Sequence, residues 1–134
     1  MKIACHYCLS NAELVSGDVI YPHRKDLYSK LFYLCSPCKA YVGCHAGGDK
    51  PLGILANESL RKAKSKAHSY LDPIWRNGYM KRKEVYKWLA NELQIDVDDC
   101  HIGMMDEDMC ALAADVCRDK LSEFRNEFLT SISY

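Results

Sequence analysis

The 134 residues carry 18 Lys and Arg against 18 Asp and Glu, and 49% of them are apolar. That length supports one compact core, or a small metal-stapled module joined to a helical one, and excludes two large independent domains. No window approaches the ~20 continuous apolar residues of a membrane span, and no apolar run precedes Cys5. The expected setting is therefore a reducing cytoplasm, where eight cysteines serve as metal ligands and buried thiols in preference to four disulfides.

The first signal along the chain is chemical. Cys5-His6-Tyr7-Cys8 and Cys35-Ser36-Pro37-Cys38 stand 26 residues apart. Each turn brings two thiolates toward one ion, and two such turns supply the four soft ligands of a tetrahedral site. One zinc held by Cys5, Cys8, Cys35 and Cys38 is the expectation, with four reduced core thiols as the bland alternative. A closed four-thiolate shell leaves no position for water or substrate, so this zinc is structural.

Between the pairs, Leu14-Val15 and Val19-Ile20-Tyr21 flank Ser16-Gly17-Asp18, which reads as a hairpin. Lys30 to Leu34 is rich in strand formers and runs into Cys35, and Lys39 to Val42 continues extended as far as Gly43. Cys pairs mounted on β structure favour a zinc ribbon over a treble clef, whose last ligands open a helix. The segment Gly43 to Gly53 is a glycine-punctuated loop carrying Cys44, His45 and Asp49.

Three helices follow. One runs from about Asn57, as N-cap, to about Leu71, with Leu60, Ala63, Ala67, Tyr70, Leu71 and Ile74 as its apolar stripe and Asp72-Pro73 ending or kinking it. The second spans Lys81 to Leu93, with Val85, Trp88, Leu89, Ala90 and Leu93 inward. The third runs from about Asp106, as cap, to Phe128, burying Met109, Leu112, Ala113, Val116, Leu121, Phe124 and Phe128. Cys100, Cys110 and Cys117 read as small buried hydrophobes. The fold class is α+β: a zinc ribbon-like module over 1–54 packed on a helical region over 55–134 as one cooperative unit.

The order of these motifs resembles a zinc-finger-containing domain family of unknown function found in phages and bacteria. The resemblance is carried by the two Cys pairs, Lys39-Ala40-Tyr41-Val42-Gly43-Cys44-His45, Pro51-Leu52-Gly53-Ile54-Leu55-Ala56, Ala67-His68 and Leu71-Asp72-Pro73-Ile74-Trp75. Tyr86 to Ala90 and Cys100-His101-Ile102-Gly103 extend it. It implies zinc binding and no established activity. A small hydroxyl residue is what the resemblance implies at Cys44, which argues against an essential ligand role there.

Charge is segregated along the chain. Residues 61–87 hold nine Lys or Arg against Asp72 and Glu84, whereas residues 92–134 hold eleven acids against Arg118, Lys120 and Arg125. Either the basic stretch faces phosphates or the two blocks attract each other within the fold. On the first reading, Arg61, Lys62, Lys64, Lys66, Arg76, Lys81, Arg82 and Lys83 contact nucleic acid. Tyr21, Tyr28, Phe32, Tyr33 and Tyr41 then either stack bases or form the ribbon core. A nucleic-acid-associated binding module is the leading functional expectation. The rivals are a phage-type module that modulates a host protein, with an acidic helix meeting a basic partner, and a metal-dependent nuclease using His45, Arg61, His68 and Asp72. An internal polar network is the preferred reading of that last group.

Overall fold

A computed structural model describes residues 2–132. Three strands, β1 (Glu13–Ser16), β2 (Leu31–Cys35) and β3 (Ala40–Gly43), form an antiparallel sheet in the order β1-β2-β3. Val15 faces Phe32 across the first ladder; Tyr33 faces Val42 and Cys35 faces Ala40 across the second. The aromatic and β-branched residues of β2 suit a central strand, because both its edges are paired and its side chains pack on neighbours.

The expected hairpin around Ser16-Gly17-Asp18 is not formed. Gly17–Ile20 instead makes one helical turn, α1, and β1 takes its partner from β2. Contact with a distant segment decides this local choice. A Cβ on Gly17 would lie 1.7 Å from the Leu27 carbonyl oxygen, so only glycine lets α1 approach the 3-10 turn Lys25–Leu27.

The sheet side of the molecule has its own core: Cys5, Tyr33, Cys35, Ala40 and Leu55 are buried, with Ile3, Ala12, Cys38, Val42 and Cys44 packed against them. Beside it, the Tyr21, Phe32 and Tyr41 rings meet edge to face, and the Tyr21 and Tyr41 hydroxyls hydrogen-bond at 2.7 Å. Burial, then that bond, pushes the Tyr41 phenol up to about 12, with the nearby Arg61 guanidinium opposing. The Tyr28 hydroxyl donates to the Pro22 carbonyl. Of these aromatics Phe32 and Tyr33 are buried, Tyr21 and Tyr41 are half-buried and bonded to each other, and Tyr28 is exposed.

The helices are α2 (Glu58–Arg76), α3 (Arg82–Leu93) and α4 (Glu107–Ile132). Asn57 Oδ1 accepts from the Leu60 N–H at 2.9 Å and Asp106 Oδ1 from the Met109 N–H at 2.8 Å, so both expected caps are formed by their own side chains. Pro73 lies inside α2, which runs five residues beyond the expected end at Leu71. Proline in a helix interior costs ~3 kcal/mol, and the full burial of Leu71 and Ile74 on either side offsets it.

The inward face of α4 differs from expectation. Leu112 and Phe128 are exposed, and the buried stripe is Cys110, Ala113, Ala114, Cys117 and Leu121. Burial desolvates the thiols and pushes Cys117 up to about 12. The chain divides into two compact units, Met1–Arg61 and Lys62–Tyr134, with the boundary in the first turn of α2. Among the described residues no helix is long and apolar enough to cross a membrane.

Candidate metal centre

Each Cys pair sits on a tight turn closed by backbone bonds. In the first, Leu9 N–H donates to the Cys5 carbonyl at 2.7 Å and Cys5 N–H to the Ser10 carbonyl at 2.8 Å, while an Ala4–Asn11 bridge ties the base of the loop. In the second, β2 delivers Cys35, and Lys39 N–H returns to the Ser36 carbonyl at 3.2 Å. The residue after each second cysteine, Leu9 or Lys39, has positive φ. That left-handed step reverses the chain just past the knuckle.

Ligand atoms of Cys5, Cys8, Cys35 and Cys38 all lie within 4.8 Å of one another, and Cys8 Sγ stands 3.6 Å from Cys35 Sγ. A tetrahedron built on zinc–sulfur bonds of ~2.3 Å has edges of ~3.8 Å, so this spacing fits the ion. The charge chemistry points the same way. Hydrogen bonds from Ser10, then from Cys35 and Cys38, pull Cys8 down to about 6. The Cys8 sulfur, then burial, pushes Cys38 up to about 12. Four thiolates this close repel one another, and a divalent cation is what lets all of them ionise together. The donor set is all sulfur, which selects zinc over hard cations, and it gives one structural zinc site.

Two residues that the sequence did not single out hold the first knuckle in place. His6 Nε2 bonds the Leu55 carbonyl at 2.7 Å, which requires the ring proton on Nε2, and the Tyr7 hydroxyl accepts from the Asn57 N–H at 3.2 Å. Nothing in the spacing of His6 or Tyr7 announces a partner about fifty positions away. Cys44 stays outside the sulfur cluster; it is half-buried, bridges Pro51 through the backbone, and burial raises its thiol. His45 belongs to the loop, its N–H donating to the Lys50 carbonyl at 2.8 Å.

The polar group suggested around His68 is thin. His68 Nδ1 and Asp72 Oδ1 are 3.3 Å apart, with side chains 46% and 22% exposed, and Arg76 reaches Asp72 at 3.9 Å. Arg61 is committed elsewhere: its Nη1 donates to the Ala56 carbonyl at 2.6 Å, and its guanidinium lies 4.2 Å from the Tyr41 ring centroid. Lys64 departs from the expected phosphate set in the same way. Its Nζ donates to the Gly103 carbonyl at 2.9 Å, and burial lowers its pKa.

The other cations of the basic stretch are placed differently. Lys62, Lys66, Arg76, Lys81, Arg82, Lys83 and Lys87 are exposed. The Arg82 guanidinium lies 5.3 Å from the Trp75 ring centroid and 5.5 Å from that of Tyr86, and Arg76 lies 5.2 Å from Trp75. On α4, Arg118 pairs with Asp115 and Asp119, and Lys120 with Glu123, so these cations find carboxylates on their own helix.

A family model described as a zinc-finger-containing domain matches residues 1–120. Comparisons with curated proteins and with solved structures return no match.

Proposed function

The chain belongs to the family of zinc-finger-containing domains, and we propose that it is a nucleic-acid-associated binding module whose zinc is structural. The observation that carries this reading is the arrangement around Arg82. Its guanidinium stacks near two aromatic rings while Lys81, Lys83 and Lys87 stand exposed around it. Exposed cations neutralise phosphates, and planar π surfaces beside them accept bases. Lys62, Lys66 and Arg76 extend the same basic stretch along α2.

The test is fluorescence anisotropy with labelled single- and double-stranded DNA and RNA at several salt concentrations. Reversing Lys62, Lys66 and Lys83 to Glu should weaken binding and flatten the plot of log affinity against log salt by ~0.7 to 0.9 per lost phosphate contact. Salt-independent or absent binding to all four ligands overturns the reading.

One observation supports a second reading, a phage-type module that binds a host protein. Asp108, Leu112, Asp115 and Asp119 recur at helical spacing on the exposed side of α4, and Leu112 is 47% exposed. Such a stripe suits a basic, partly apolar surface. Co-purification of a host protein that is lost on Leu112→Lys would favour it. Of the nuclease group, His68 and Asp72 form a partly exposed pair, and Arg61 is already bonded to the Ala56 carbonyl.

A further inference from the structure

α3 carries two adjacent i,i+4 rows, exposed Arg82 with half-buried Tyr86, and exposed Lys83 with exposed Lys87. These four residues form one wall of a cavity of about 540 Å³, well inside the ~300–1,000 Å³ range of small-molecule sites. The segment that follows α3 supplies the rest of the lining, including Asp98 and His101. Val97 adds an apolar surface, and Cys100, 1% exposed, also belongs to the lining.

The two rows divide the cavity by chemistry. Tyr86 and the Arg82 guanidinium are planar, and Arg82 is backed by the Trp75 ring at 5.3 Å, so one row offers flat surfaces for a π face. Lys83 and Lys87 are compact cations suited to a phosphate. Asp98 also lines the cavity and would repel a phosphate placed beside it, which favours an occupant with its phosphate on the lysines and its ring on Tyr86. Neighbouring pieces of duplex DNA cannot present a bare ring face, because their bases are stacked and paired inside the helix.

We infer that this cavity receives one unstacked base and its phosphate from a single-stranded nucleic acid. The inference rests on the nucleic-acid reading and narrows it to a strand type and to four residues of α3. An acidic peptide would use the lysines alike but would gain little from the planar row, so the two ligands separate experimentally.

The experiment is anisotropy with a short labelled single strand and the matching duplex, on wild type, Tyr86→Ala, Tyr86→Phe and Arg82→Gln. Tyr86→Ala should weaken the single strand roughly tenfold and leave its salt slope unchanged, because a stacking contact and no phosphate contact is removed. Tyr86→Phe should retain wild-type affinity, and the duplex should change by less than about twofold. Should Tyr86→Ala fail to fold, Arg82→Gln carries the affinity comparison from an exposed side chain, with the salt slope flattened as well because a cation is lost. A polyglutamate peptide that displaces the strand better than a mononucleotide overturns the inference in favour of an acidic peptide. Single-strand binding indifferent to both Tyr86→Ala and Arg82→Gln, or binding to duplex alone, overturns the inference and leaves the basic-stretch reading standing. No binding to either nucleic acid overturns both.

Discussion

Leu9 and Lys39 occupy equivalent places in the two knuckles, each directly after the second cysteine and each left-handed, with φ of 66° and 52°. The shared step is the geometric cost of turning two thiols onto one ion. For an L-residue with a Cβ it amounts to ~1–2 kcal/mol, and at Leu9 nothing offsets it by burial, since that side chain is 80% exposed. Leu9→Gly should therefore hold or raise stability by up to ~1 kcal/mol, the relief of strain outweighing the larger unfolded-state entropy of glycine. Leu9→Val, with its branched Cβ, should lose stability. Chemical denaturation of the zinc-loaded protein, comparing midpoints at equal slope, checks both signs.

Removing one ligand should be far more damaging than relieving strain at the turn. Cys35→Ser takes a buried sulfur from both the cluster and the core of the first unit, so metal and fold should be lost together there, as in sites where binding energy is folding energy. Wild type should contain one zinc per chain, and zinc should be released as pH falls, because protons compete for the thiolates. Mass spectrometry under native conditions gives the stoichiometry. Circular dichroism after chelation tests a further proposal, that ribbon and helices unfold as one unit. Helical signal surviving intact when the metal leaves would show that the second unit, Lys62–Tyr134, stands alone.

The zinc ligands were legible because paired Cys spacing is a local signal with one dominant cause. The caps at Asn57 and Asp106 were legible for the same reason, since a cap bonds the backbone three residues on. What failed to show was decided at a distance. Ser16-Gly17-Asp18 has every mark of a hairpin turn, yet β2 supplies the partner of β1 and Leu27 sets the requirement at Gly17. His6 and Arg61 find the Leu55 and Ala56 carbonyls, contacts that no pattern encodes. On α4 the error was one of weighting. Counting Cys110 and Cys117 as full members of the apolar stripe would have rotated the buried face onto its true position, away from Leu112 and Phe128.

Gly17 should be intolerant of any side chain. The Leu27 carbonyl oxygen would sit 1.7 Å from an added Cβ, and backbone cannot yield as a flexible side chain does. Gly17→Ala should cost ~3 kcal/mol or more, at the upper end of overpacking effects. Gly47 provides the contrast in the same unit: a Cβ there meets nothing within 4 Å, but its φ of 77° makes alanine strained. Gly47→Ala should cost only ~1–2 kcal/mol. Thermal melts of the two variants should rank them in that order, and equal losses would show that α1 moves freely away from Leu27.

His68→Ala should alter stability by less than ~1 kcal/mol. A buried network would have stranded a polar partner at ~1–3 kcal/mol. The pair at 3.3 Å instead has His68 46% exposed, and Asp72 keeps Arg76 at 3.9 Å as a second neighbour. Exposed pairs of this kind contribute little. Asp72→Ala, which removes the acceptor shared by both, should cost somewhat more than His68→Ala. Denaturation of the two single variants and the double variant gives the coupling directly. A loss of ~3 kcal/mol at His68 would mean that the side chain does more than this geometry describes.

Lys64 supplies the internal control for nucleic-acid binding. It lies among the basic residues of α2 in sequence, but its ammonium is half-buried and bonded to the Gly103 carbonyl at 2.9 Å. Lys64→Met, which keeps the apolar stem and removes the charge, should leave the salt dependence of binding unchanged, whereas Lys62→Glu and Lys66→Glu should flatten it. The charge also marks stability in a defined direction. Burial lowers the Lys64 pKa from its ordinary value of 10.5, so between the folded and unfolded values the unfolded chain binds more protons and stability rises with pH. Wild type should therefore gain on Lys64→Met as pH is raised toward 10.5, and the difference should be flat near neutrality. A Lys64→Met variant that loses the same salt slope as Lys62→Glu would place its ammonium on phosphate and not on Gly103.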